Sequence, residues 1–276
     1  MNGRWLLHYL ALGLLLLSAA TVWADAVEMS GHFEQGGVII GRVPPGARLQ
    51  LEDKTVRVSA QGDFVFGFGR DAPASERLLI TYPDGRQEER KLAIQARQYA
   101  IQRLDGLPPS KVTPPQSVLD RIHREAALAA QARTQDIPTP YFLSGFKWPV
   151  TGRISGVYGS QRILNGEPRQ PHYGVDIAAA IGTPVRAPAD GIVTLAYPDM
   201  YYSGGTLIVD HGHGLSSSFL HLQKILVKEG QAIRQGDTIA TVGATGRVTG
   251  AHLDWRMNWF EERVDPSLLV PPMSGR

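Results

Sequence analysis

From Phe146 onward the chain is cut by glycine into pieces of strand length, among them ISGVYG, GVDIAA, GTLIVDHG and SSSFLHL. The run VKEGQAIRQGDTIATVGATG (227–246) has glycines where tight turns would separate short strands. With 30 glycines and 19 prolines in 276 residues, turns are frequent and helix is scarce. The end of this region, HLDWRMNW (252–259), shows what such a strand can do. Residues two apart on a strand share a face. Leu253, Trp255, Met257 and Trp259 therefore make an apolar side, and His252, Asp254, Arg256 and Asn258 a polar one.

The first half also reads as strands. FVFGF (64–68), RLQL (48–51) and TVRVS (55–59) alternate, with turn signals PPG at 44–46, QGD at 61–63 and PDG at 83–85. The last predicts a hairpin joining LLITY to RQEERKLAI. This spacing predicts a small immunoglobulin-like β-sandwich over 25–105. A connector follows at 106–145: the proline-dense GLPPSKVTPP, then a helix over SVLDRIHREAALAAQAR (117–133) with Ser117 and Asp120 as its N-cap pair. Residues 146–276 form a second all-β unit, and the fold class is mostly β throughout.

Residues 1–24 read as a cleaved signal peptide: Arg4, an apolar run from Tyr9 to Ala20, and small residues Val22 and Ala24 before the cut. That run is short for a bilayer span, and no later segment is long and apolar enough to be one. Cysteine is absent, which excludes a disulfide scaffold and a cysteine-linked lipid anchor. The expected location is periplasmic or secreted. A formal charge of +2 without a basic run gives no basis for nucleic-acid binding.

Five of the eight histidines lie past residue 146. Three clusters carry chemistry: HYGVD with His172 and Asp176, SFLHL with His221, and HLDW with His252 and Asp254. Catalytic zinc takes three protein ligands from His, Asp or Glu and leaves one position open. Two further neutral imidazoles beside it could move protons or hold a developing oxyanion. His32 reads as a surface residue and His123 as part of a solvated helix face.

In their order and context these anchors resemble the lysostaphin/LytM-type zinc metallopeptidases, which cleave peptides of the bacterial cell wall. The resemblance covers roughly 146–265. It implies a compact antiparallel-β domain holding one zinc ion, with His172 and Asp176 as the first two ligands and His221 and His252 as catalytic histidines. It also exposes a departure, because the family's third ligand is a histidine and this chain has Asp254 there.

Aspartate is an acceptable zinc ligand, although shorter than histidine. Two carboxylates and one imidazole would bring a divalent ion to formal zero, and the harder donor set makes manganese a candidate beside zinc. Asp254 has a second reading as the partner of Arg256, holding no metal. The four matching positions weigh toward a metal site.

DHGHG (210–214) contains a literal H-x-H. His211 is expected near the site but not on the metal, and His213 in solvent. The implied activity is cleavage of peptidoglycan crosslinks by metal-activated water, D-alanyl–diaminopimelate bonds before glycine bridges. The alternative is a weak or inactive relative that binds or regulates other wall hydrolases. A lipoyl- or biotin-carrier reading fails for want of the carrier lysine motif.

Overall fold

The computed structural model describes residues 27–104, 114–164 and 166–273. The signal segment at 1–24 and most of the proline-dense stretch lie outside them. Seven strands open the chain: β1 (Glu28–Gly31), β2 (Val38–Arg42), β3 (Arg48–Leu51), β4 (Lys54–Val56), β5 (Asp63–Gly67), β6 (Ser75–Thr81) and β7 (Gln87–Ala93). They form a three-stranded sheet ordered β1-β2-β5 and a four-stranded sheet ordered β4-β3-β6-β7. The PDG turn joins β6 to β7 as the sequence predicts: Thr81 faces Gln87, and the Tyr82 N–H donates to the Arg86 carbonyl at 2.8 Å.

β5 departs from the one-faced strand that its alternation implies, because every residue in it is buried. Phe64 and Phe66 stack with ring centroids 5.9 Å apart, and Phe66 meets Trp259 edge-on at 6.5 Å. A Cβ on Gly67 would lie 2.6 Å from Val264 and 3.2 Å from Trp259. The first sheet thus rests on the second half of the chain, and one apolar core runs through both.

Between the halves, β8 (Ile101–Leu104) lies outside these two sheets and pairs in parallel with β10 (Gln161–Leu164), to which β11 (Glu167–Pro168) adds an antiparallel third strand. Helix α1 (Leu119–Arg133) begins later than its capping signal implies. Ser117 lies in a 3-10 turn, Gln116–Val118, and Val118 stands at the helix N-cap without a side-chain cap. The turn carries the chain into the helix and takes Ser117 away from the orphan N–H groups. Ala132 packs against Leu195, Met200 and Ile208, while Glu125 accepts from Arg121 at 2.6 Å and from the Tyr201 N–H at 2.7 Å.

The remaining strands are β9 (Arg153–Gly156), β12 (Val175–Ala178), β13 (Pro184–Arg186), β14 (Gly191–Met200), β15 (Gly204–Asp210), β16 (Leu215–Ile225), β17 (Ala232–Ile233), β18 (Thr238–Val242), β19 (His252–Trp259) and β20 (Glu262–Val264). They form one antiparallel sheet with the path β17-β14-β15-β16-β19-β12-β9, and β13, β18 and β20 attach to its flanks. Leu253, Trp255, Met257 and Trp259 all join the core, so the apolar side of β19 is the one its alternation predicts. Among the described residues no helix is long and apolar enough to cross a membrane.

Candidate active site

The polar side of β19 gains its partners from the strands on either side. Asp254 faces Asp176 of β12 directly across the ladder, and Leu220 of β16 faces Asp254 from the other side. Two carboxylates are thereby placed side by side. His172 enters from the loop before β12, where its backbone is clamped to Ser160: His172 N–H to Ser160 O at 2.9 Å, and Gly159 N–H to His172 O at 2.7 Å.

Regular alternation would turn His221 away from Asp254. A β-bulge prevents this. The pairing of β15 with β16 shifts by one between Leu207–Phe219 and Gly205–Leu222, and His221 sits in that irregularity at φ +64°. Bulges of this kind re-aim single side chains. The His221 N–H donates to Ser203 O at 2.8 Å, and its Nδ1 donates to Thr245 O at 2.9 Å. His252 Nδ1 donates to Gly250 O at 2.9 Å. Both imidazoles are therefore held with Nε2 as the free acceptor. Their rings lie 4.9 Å apart, and His252 Nε2 is 3.8 Å from Asp176 Oδ1.

One ligand atom from each of His172, Asp176 and Asp254 lies within 4.8 Å of the others. His172 Nε2 and Asp176 Oδ1 approach to 3.0 Å without the alignment of a hydrogen bond, and both are buried without a partner, as is His172 Nδ1. Buried polar atoms are ordinarily paired. The bare atoms of His172 and Asp176, meeting beside the Arg256-bound Asp254 carboxylate, fit a divalent cation, for which this combination of imidazole and carboxylates is chemically competent. Burial opposes ionisation of Asp254, but the charge and hydrogen bonds of Arg256 outweigh it and hold the carboxyl below its ordinary range. For His221 burial dominates and pushes the imidazole down to about 4, so it is neutral at pH 7.

Two glycines complete the site. A Cβ on Gly156 would lie 2.3 Å from Asp176 Oδ2, and one on Gly174 would lie 2.5 Å from Asp254 Oδ1. Both stand in quoted motifs, ISGVYG and HYGVD, but their closeness depends on strand pairing that the sequence does not display. Thr245, whose carbonyl fixes the His221 tautomer, is likewise a long-range partner.

The H-x-H at 211–213 stands outside this cluster. His211 is fully buried, donating from Nδ1 to Asp190 O at 2.7 Å and accepting at Nε2 from Ser217 Oγ at 2.8 Å. Ser217 pairs with Met257, three pairs along the ladder from Asp254. His213, expected in solvent, is only 1% exposed. The segment before the 3-10 turn Tyr141–Ser144 covers it: Nε2 donates to Pro138 O at 3.0 Å, and Phe142 packs edge-on at 5.2 Å. The exposed His32 and His123 are as expected.

The profile of Peptidase family M23 matches residues 170–266, which contain all five site residues. The chain is 41% identical over 128 residues to the peptidoglycan DD-endopeptidase ShyB of Vibrio cholerae, covering 44% of this chain and 26% of that protein. It is 40% identical over 116 residues to ShyA of the same organism, covering 40% and 26%. The chain thus spans about a quarter of the length of these curated relatives. A crystal structure of a putative peptidase M23 from Pseudomonas aeruginosa is 31% identical, with a TM-score of 0.65, covering 86% of this chain and 94% of that one.

Proposed function

The chain belongs to peptidase family M23, and from that premise we propose that it is an exported zinc-dependent endopeptidase that hydrolyses peptide crosslinks of bacterial peptidoglycan. The bond proposed is D-alanyl–diaminopimelate, in keeping with relatives named peptidoglycan DD-endopeptidases. The observation that carries the reading is the buried meeting of His172, Asp176 and Asp254, with donor atoms of His172 and Asp176 left bare, beside two imidazoles anchored through Nδ1.

In the proposed roles, His172, Asp176 and Asp254 hold the ion. Once bound it would supply Lewis-acid polarisation of a peptide carbonyl and activation of water. The chain's own part is proton handling and orientation. His221, neutral at pH 7, and His252, its ring 4.9 Å away, stand beside the cluster and are suited to accept a proton from water and return it to the leaving amine. The Thr245 and Gly250 carbonyls fix the tautomers that this requires. Residues 1–24 are proposed as the export signal, 25–105 and 146–276 as the two domains, and the periplasm as the place of action.

A second reading has one observation in its favour: Arg256 binds both oxygens of Asp254. On that reading the protein is a weak or inactive relative that regulates other wall hydrolases. Digestion of purified Gram-negative sacculi, followed by mass spectrometry of the muropeptides, separates the two. The endopeptidase converts crosslinked dimers to monomers with zinc or manganese, and His221→Ala or chelation stops it. No cleavage by the natural protein, with cleavage gained in Asp254→His, would establish the second reading.

A further inference from the structure

Arg256 and Asp254 stand two residues apart on β19 and meet through three contacts. Arg256 Nε reaches Oδ1 at 3.0 Å and Oδ2 at 3.1 Å, and Nη2 reaches Oδ2 at 2.6 Å. The Asp254 side chain is 3% exposed and that of Arg256 26%, so the guanidinium caps a carboxylate that water scarcely reaches. A carboxylate offers about four acceptor positions. Oδ2 takes the short contact and one long one, and Oδ1 takes a single longer contact, which leaves Oδ1 an acceptor direction to spare.

The charges matter as much as the geometry. Asp254 faces Asp176 across the ladder, and two ionised carboxylates so placed repel each other. Arg256 remains protonated at any working pH and neutralises one of them. A divalent ion held by one neutral imidazole and two carboxylates is formally neutral. Arg256 adds one positive charge to that, and Arg162, whose Nη2 lies 3.8 Å from Asp176 Oδ2, stands beside the other carboxylate.

We propose that Arg256 is a positioning residue that shares the Asp254 carboxylate with the metal. It leaves Oδ1 to the ion, weakens metal binding by its own charge, and makes the loaded site more positive. An ordinary outer-shell partner, a carboxylate or carbonyl, strengthens the ligand it holds. A cation in that position draws electron density away from the ligand and repels the ion. The inference rests on the metal-site reading above, and the sign of the effect is what separates it from a merely structural pair.

The test is the affinity of purified protein for Zn2+ and Co2+, measured by competition with a chromophoric chelator, with thermal melts to confirm folding. Arg256→Met is expected to bind metal about tenfold or more tightly than the natural protein, the scale of an outer-shell charge. Arg256→Lys, with charge kept and fork lost, falls between. Unchanged or weaker binding by a folded Arg256→Met overturns the inference while leaving the metal site standing. Absence of metal binding in both folded proteins overturns the site reading and the inference together. Should Arg256→Met not fold, Arg256→Gln, which also removes the charge, must still bind more tightly than the natural protein. In 15N-labelled natural protein the Arg256 Nε–H resonance should shift and persist when zinc is added; its loss means that the ion displaces the guanidinium and refutes sharing.

Discussion

Asp176 is walled on one side by the backbone of β9. Gly156 on β9 lies against it so closely that a Cβ there would come within 2.3 Å of Oδ2, 2.8 Å of Cγ and 3.1 Å of Cβ. The whole carboxylate, not a flexible tip, would have to give way. Gly156→Ala should therefore cost about 1–3 kcal/mol of stability through overpacking and lower metal affinity about 10–100-fold by moving a proposed ligand. A urea melt and a chelator competition check the two halves. Unchanged metal affinity would show that Asp176 is not held where it must be for coordination. At this scale β19 was legible from alternation alone, since a period of two assigns His252 and Asp254 to one face and Trp255 to the other. Gly156 was not, because its role comes from the pairing of β9 with β12 across some twenty residues of chain.

The hairpin from β15 to β16 carries a different kind of chemistry, in two adjacent buried groups with opposite responses to pH. Burial lowers His211 from the ordinary 6.5 to about 4. The unfolded chain then binds that proton more readily, so the stability linked to His211 is complete above about pH 6.5 and is lost as pH falls toward 4. That is a stake on the order of 3 kcal/mol. Burial raises Asp210 from 3.8 to about 7, against the opposing hydrogen bond from the Gly212 N–H. Its contribution is present below about pH 3.8 and is lost as pH rises through 7. Between pH 4 and 6.5 the two slopes oppose each other, and single substitutions should unmask them. Relative to the natural protein, Asp210→Asn should gain urea resistance from pH 4.5 to 7, and His211→Gln should lose it. Equal shifts in both variants would mean that neither group titrates as its burial dictates. The sequence showed an H-x-H here but not its burial, since the cover comes from residues 137–142, far earlier in the chain. The His221 bulge was hidden for the same reason: alternation reports regular strand and is silent about one extra residue.

At the scale of the molecule, the sequence shows two β-rich halves and a proline-dense join, which invites the picture of separable domains. The interior tells against easy separation. Phe66 lies against Trp259, Gly67 against Val264, and β8 supplies a parallel neighbour to β10. Polar ties add to this: Arg97 to Asp265 at 2.9 Å, Arg70 to Gly159 O at 2.8 Å, and Tyr99 edge-on to Tyr158. Removing everything before Phe146 would uncover part of Trp259 and Val264, bare one edge of β10, and leave Asp265 without its cation. A tryptophan buries about 150–250 Å², and apolar area is worth about 25 cal/mol per Å², so even half of that surface costs about 2–3 kcal/mol. The fragment 146–276 should therefore melt well below the intact protein and bind a hydrophobic dye, and the sacculus cleavage proposed for the protein should fall rather than rise. Coexpression with residues 27–104 should restore part of the loss. A soluble fragment that melts with the parent and cleaves sacculi faster would show that the first half is a removable cover; melting with the parent at unchanged turnover would show two independent units.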